Sequence, residues 1–288
     1  MTAIRPRRSV LYMPGSNARA LEKARGLPAD ALILDLEDAV APDAKDMARG
    51  QVCAAVRAGF GKREVIIRVN DLSTPWGAAD LEAAVAATPD AILVPKISTA
   101  ADINAVTERM VAAPEKTAIW AMIETPLSIL NLKEIAGAGG RLACFVMGTN
   151  DLIKEFGGLH TQDRMNLATP LSLAVAAARA FGLVVIDGVY NDIQNEAGFA
   201  EICAQGRAFG FDGKTLIHPS QVPACNAAFA PSEKEIEDAR KVIAAFELPE
   251  NQGKGAIKVD GRMVELLHAE IARRTVALAD AIAELEAA

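Results

Sequence analysis

The chain has 288 residues, 51% of them hydrophobic and only 5% aromatic, which suits a helix-rich α/β protein and argues against a β-sandwich. Its net charge of −7 argues against general nucleic-acid binding, and no apolar run reaches the roughly 18 residues needed to cross a membrane. The N-terminal stretch MTAIRPRRSV has no apolar signal core. Cys53, Cys144, Cys203 and Cys225 lie far apart with no C-x-x-C, so the reading is a reduced, cytoplasmic protein.

In chain order, short β-branched runs end in polar residues. Ser9–Tyr12 leads to Pro14-Gly15, and Ala31–Leu34 to Asp35, Glu37 and Asp38. Val65–Val69 carries Arg68 and Asn70, Ala91–Val94 runs into Pro95-Lys96, and Ala118–Ile123 ends at Glu124. Ala143–Met147 leads to Gly148 and Asp151, Leu183–Ile186 to Asp187, and Lys214–Ile217 to His218. Between these eight strand candidates, Ala18–Arg25, Asp43–Ala58, Ala78–Ala87, Thr99–Val111, Leu127–Ala136, Leu171–Phe181 and Glu196–Phe209 show apolar spacings of three and four and are predicted helices. Eight alternations predict a closed parallel (β/α)8 TIM barrel rather than an open doubly wound sheet, since no G-x-G-x-x-G follows a strand. The barrel domain is expected over residues 1–247, with its last helix at Pro231–Phe246. Residues 248–288 are read as a polar linker, Leu248–Gly255, followed by a lid helix, Met263–Glu286.

Acids and bases gather at the C-terminal ends of the strands, where barrel enzymes place their active sites. Glu124 and Asp151 follow neighbouring strands, which lie under about 5 Å apart, so both carboxylates can reach one point. Two carboxylates suit Mg²⁺ or Mn²⁺, whereas three histidines without an H-x-x-x-H pattern do not suit zinc. Arg68 offers a planar fork for a carboxylate or developing oxyanion, or equally a salt bridge with Glu37 or Asp38. Gly213-Lys214-Thr215 fails as a phosphate loop because it enters a strand, and Gly213 is read as a turn residue. The basic residues among the first 25 are a charged face or a polyanion site. Asp260 reads locally as the cap of the tail helix.

RRSVLYMPGS (Arg7–Ser16), LDLEDAV (Leu34–Val40), IIRVN (Ile66–Asn70), VPK (Val94–Lys96), IET (Ile123–Thr125), MGTNDL (Met147–Leu152), FDGKTLIHPSQV (Phe211–Val222) and VDGRMV (Val259–Val264) resemble the citrate lyase β-subunit-like proteins of the HpcH/HpaI aldolase superfamily. The resemblance implies Mg²⁺ on Glu124 and Asp151, with Arg68 beside the metal-bound substrate. It implies that Tyr12, Arg19, Lys23, Ile217 and His218 hold a CoA moiety. Glu37 and Asp38 would order Arg68 and the waters around it, and Asp260 would be the acid–base on a lid reaching a neighbouring subunit of a homotrimer or hexamer. The activity so expected is carbon–carbon cleavage of a 3-hydroxyacyl-CoA (malyl-CoA, β-methylmalyl-CoA or citramalyl-CoA) to an acyl-CoA and a 2-oxo acid such as glyoxylate or pyruvate. Hydrolysis of (S)-malyl-CoA on the same scaffold is the alternative. A citrate lyase β subunit or a non-catalytic CoA-binding protein ranks below both.

Overall fold

A computed structural model describes residues 4–287; residues 1–3, at the head of the N-terminal stretch, and residue 288 lie outside the described residues. The chain forms two compact units, one of residues 7–229 and one of residues 4–6 with 230–287. No helix among the described residues is long and apolar enough to cross a membrane.

The first unit is the expected barrel. Eight parallel strands, β1 (Ser9–Pro14), β2 (Ala31–Asp35), β3 (Glu64–Arg68), β4 (Ala91–Val94), β5 (Ala118–Ile123), β6 (Leu142–Met147), β7 (Val184–Asp187) and β8 (Gly213–Leu216), pair in chain order. The ring closes where Ser9, Val10 and Leu11 pair with Lys214, Thr215 and Leu216. Around it run α1 (Ala18–Ala24), α2 (Lys45–Ala58), α3 (Gly77–Ala87), α4 (Ala100–Arg109), α5 (Pro126–Leu130), α6 (Leu132–Gly137), α7 (Thr149–Glu155), α8 (Ala168–Ala180), α9 (Glu196–Phe209) and α10 (Val222–Phe229). The expected helix Leu127–Ala136 is two helices meeting at Asn131, and α7 and α10 were not expected.

Successive side chains of a strand point to opposite faces, and this parity sorts two cores. Val10, Ile33, Ile66, Leu93, Trp120, Met122, Val146 and Ile186 fill the barrel interior. Their strand neighbours Leu11, Leu32, Leu34, Ile67, Ile92, Ile123 and Phe145 pack outward with the helices. Gly213 is not a turn residue as expected. It lies in β8, where a Cβ would strike the backbone oxygens of Arg7 and Arg8, so only glycine lets β1 and β8 close the ring.

Parity also removes Asp187 from the cavity. Ile186 points inward, so Asp187 turns outward beside Gly206 of α9. There it accepts from Arg164 Nη1 at 2.8 and 3.0 Å and from Lys214 Nζ at 2.9 Å. Burial opposes its ionisation, but these two cations hold its carboxyl below the usual range. Lys214 is fully buried.

In the second unit α11 (Glu233–Glu247) packs against α12 (Leu266–Glu286), so the helix expected to end the barrel domain groups with the tail. Between them β9 (Ala256–Val259) and β10 (Arg262–Glu265) form a two-stranded antiparallel ladder. Asp260 and Gly261, with φ of 46° and 81°, are its two-residue turn. The tail helix therefore starts at Leu266, not Met263, and its cap is Glu265, not Asp260.

Replacing Asp187 by Asn should leave two buried cations uncompensated and cost about 3–5 kcal/mol of barrel stability in urea unfolding. A loss under about 1 kcal/mol would show that the triad is not a principal brace.

Candidate active site

The C-terminal mouth of the barrel opens into a cavity of about 300 Å³, whose walls include Tyr12, Asp35, Asp38, Arg68, Met122 and Asp151. Tyr12, Arg68 and Met122 share the inward parity of Val10, Ile66 and Trp120.

Arg68 is only 6% exposed, and its charge requires partners. Asp35 supplies the main one. Arg68 Nε and Nη2 donate to the two oxygens of Asp35, each at 2.7 Å, in a bidentate pair. Nη1 meets Glu37 Oε2 at 2.8 Å and Asp38 Oδ2 at 3.3 Å. The fork is thus engaged on every side, and the salt bridges expected with Glu37 and Asp38 are both present. Asp35 also accepts from the backbone N–H groups of Glu37 and Ala39. Burial opposes its ionisation; Arg68 and those N–H groups hold its carboxyl below the ordinary carboxylate range.

Sequence reasoning did not place Asp35 among the site residues, although it shares the inward parity of Ile33. It also missed Lys45. That buried ammonium donates to the carbonyls of Leu36 and Glu37 at 2.8 and 2.7 Å and to Asn70 Oδ1 at 2.7 Å. Asn70 in turn donates to Asp80, which is paired with Arg49. The turn carrying Glu37 is fixed from behind by this chain. A lysine at the start of the helix after an acidic strand end is the signal that could have found it.

Glu124 and Asp151 do converge. Asp151 sits in the first turn of α7, and Lys96 reaches both, its Nζ 3.3 Å from Asp151 Oδ1 and 3.9 Å from Glu124 Oε1. The Lys96 backbone N–H also donates to Glu124 at 2.8 Å. Lys96 holds φ at 56°, a left-handed conformation rare for lysine. A Cβ on Gly148 would lie 2.5 Å from the Glu124 side chain, so glycine is required there. Burial pushes the Glu124 carboxyl up to about 7, with Lys96 opposing and Asp151 adding to the rise. Burial pushes Glu37 up to about 8, against the pull of Arg68.

Two acids sharing one ammonium, one of them short of compensating charge, fit Mg²⁺. No cluster of three or more potential metal-binding side chains occurs among the described residues, so water and substrate would complete such an ion's shell.

The expected CoA residues are dispersed. Arg19 and Lys23 lie exposed, one turn apart on α1. Their basic neighbours Arg7, Arg8 and Arg25 are paired with Glu64, Asp30 and Glu22. Ile217 lines the cavity, while the N–H groups of Ile217 and His218 both donate to Gln221. Tyr12 lies within the cavity wall, its ring 4.8 Å from the Arg68 guanidinium. Asn150 at the start of α7 and Asn191 in the loop after β7 are joined by reciprocal amide bonds of 3.2 and 2.8 Å.

A glutamate that ionises near 4.5 when unfolded but near 7 or 8 when folded keeps a proton on folding. Its contribution to stability is full below about pH 4.5 and is lost as pH rises through the folded values. Without divalent cations, the melting temperature should fall between pH 5 and 8.5. Glu37→Gln and Glu124→Gln should each flatten that slope. A wild-type curve that rises across the window would contradict the raised values.

The HpcH/HpaI aldolase/citrate lyase family matches residues 8–219. A (3S)-malyl-CoA thioesterase of Cereibacter sphaeroides (strain KD131 / KCTC 12085) is 53% identical over 283 residues, 98% of each chain. Citrate lyase subunit beta of Escherichia coli (strain K12) is 37% identical, covering 91% of this chain and 89% of that one. The crystal structure of protein CitE from Mycobacterium tuberculosis in complex with magnesium, acetoacetate and coenzyme A superposes with a TM-score of 0.75 at 31% identity, covering 93% of this chain and 97% of that one. The expectation of carbon–carbon cleavage does not survive these comparisons: four relatives at 51–53% identity are named for thioester hydrolysis, which reverses the order of the two readings. Sequence motifs, barrel and relatives agree that the chain belongs to the HpcH/HpaI aldolase/citrate lyase family.

Proposed function

We propose that this protein is a Mg²⁺-dependent thioesterase that hydrolyses (3S)-malyl-CoA to malate and CoA. The observation that carries the reading is 53% identity over 98% of both chains to a protein of that name. The mouth of the barrel supports it. Glu124 and Asp151 are the proposed holders of the ion, and when bound it would supply positive charge beside the acyl group's oxygens. Arg68, fixed by Asp35 and Glu37, keeps a positive charge at one wall. Glu37 and Asp38 order Arg68 and water near it. Arg19 and Lys23, charged and exposed on α1, suit the phosphates of CoA, with Ile217 and His218 as further proposed contacts.

Hydrolysis needs a base for water. A carboxylate takes one proton as the water oxygen bonds to the thioester carbon. The C–S bond then breaks, and the proton returns to the departing thiolate. We assign this role to Asp260 at the hairpin tip, acting on the barrel of a neighbouring chain. Met263, Leu266, Leu267 and Ile271 of the same unit are more than half exposed, an apolar face that a partner in a trimer or hexamer would cover. Four free, buried cysteines suit a reducing cytoplasm.

Incubation with malyl-CoA and Mg²⁺ should release malate and CoA in equal amounts. EDTA should abolish the reaction, and Glu124→Gln or Asp151→Asn should lower kcat by at least about 10². Glyoxylate with acetyl-CoA as products, or full turnover in chelator, would refute the proposal. Asp260→Asn should fold normally yet lose roughly 10²–10⁴ in kcat. Mixed with Arg68→Ala under subunit exchange, it should regain part of the activity. Two inactive variants that exchange subunits without complementing would place Asp260 outside a shared site.

A further inference from the structure

Tyr12, a residue of the cavity wall, carries an unpaired polar atom. Its Oη is buried without a hydrogen-bond partner, and of the buried side-chain atoms in that condition among the described residues it alone belongs to a residue of the cavity wall. A buried hydroxyl left unpaired is destabilising and calls for an explanation. The neighbouring polar groups are engaged elsewhere. The Arg68 fork is taken by Asp35, Glu37 and Asp38. Asn150 and Asn191 pair with each other, and the Thr215 hydroxyl donates to the Asp187 carbonyl.

The surroundings decide what Oη would bind. Burial pushes the Tyr12 phenol upward; Arg68 pulls the other way, and Asp35, Glu124 and Glu37 add to the rise, so it keeps its proton and can donate. The Arg68 guanidinium stands 4.8 Å from the ring, so an oxygen accepting from Oη would also feel that positive charge. A proton donor beside a cation suits an anionic oxygen. We propose that the Tyr12 hydroxyl donates to the terminal carboxylate of the short hydroxy-acid part of the substrate, and so selects for acyl groups that end in a carboxylate. This differs from the CoA contact expected of Tyr12 from sequence. It rests on the thioesterase reading for the identity of the substrate and on the cavity for the binding site.

Tyr12→Phe removes the hydroxyl and keeps the ring. L-malate titrated calorimetrically with Mg²⁺ present should bind about tenfold or more weakly to the variant than to the wild type. KM for malyl-CoA should rise in parallel, with kcat within about threefold. The melting temperature should hold or rise, because an unpaired buried hydroxyl has been removed. Unchanged Kd and KM with a lower melting temperature would make the hydroxyl structural and overturn the proposal. A fall in kcat alone would place Oη at the thioester oxygen and overturn the carboxylate assignment, as would failure of the wild type to bind L-malate. A wild type that binds L-malate but leaves malyl-CoA intact would refute the thioesterase reading, while the malate titration would still decide the role of Tyr12.

Discussion

Arg68 carries a permanent charge at a point almost closed to water, and the mouth of the barrel is arranged around that fact. A guanidinium cannot escape the cost of burial by losing its proton, so carboxylates must meet it. Asp35 does so bidentately from the neighbouring strand, where β2–β3 register sets the two residues side by side. Glu37 and Asp38 follow on the turn that Asp35 caps through its bonds to the backbone of Glu37 and Ala39. Lys45 then holds the carbonyls of that turn from the helix side. One buried cation thus orders a strand end, a turn and the first turn of a helix.

The same wall leaves the mouth short of positive charge. Asp35, Glu37, Asp38, Glu124 and Asp151 face Arg68 and Lys96, five acids against two bases. Asp35, with the better geometry, stays well ionised; the surplus falls on Glu37 and Glu124, whose burial is not fully offset. A group that brings two positive charges to this place relieves the strain between buried acids, which is why the donor set and the raised carboxyls favour a divalent cation together.

What the sequence made legible follows from the length scale of each signal. Eight strands could be read because each is a separate β-branched run, and seven of the eight family motifs touch or overlap them. The helix Thr149–Glu155 was missed because it is one polar turn or two with no apolar stripe, and Val222–Phe229 because it is only eight residues long. Asp187 looked like a rim acid, but one step of strand parity sends it to Lys214 and Arg164 instead. Asp260 looked like a helix cap because Asp-Gly suits both a cap and a tight hairpin; only the pairing of Ala256–Val259 with Arg262–Glu265 separates them. Asp35 was visible as a strand end but not as the partner of Arg68, since that depends on register between strands far apart in sequence.

Cleavage and hydrolysis are hard to tell apart from residue identity because both need a cation near the acyl oxygens and a carboxylate that moves a proton. The composition of the cavity narrows the hydrolytic route. Its wall, among the described residues, contains no cysteine, histidine or serine. All four cysteines are buried, and burial pushes the thiols of Cys144 and Cys225 well up, away from the nucleophilic thiolate. Thr215 is committed to a backbone carbonyl, and the Tyr12 phenol keeps its proton. A covalent acyl-enzyme would need an activated side chain with a base beside it, and neither Thr215 nor Tyr12 is in that condition. Direct attack by water, with a carboxylate to take its proton, is the route of the proposed function, and on that route the placement of the water, rather than of a nucleophilic side chain, is the variable that separates a thioesterase from a lyase on one barrel.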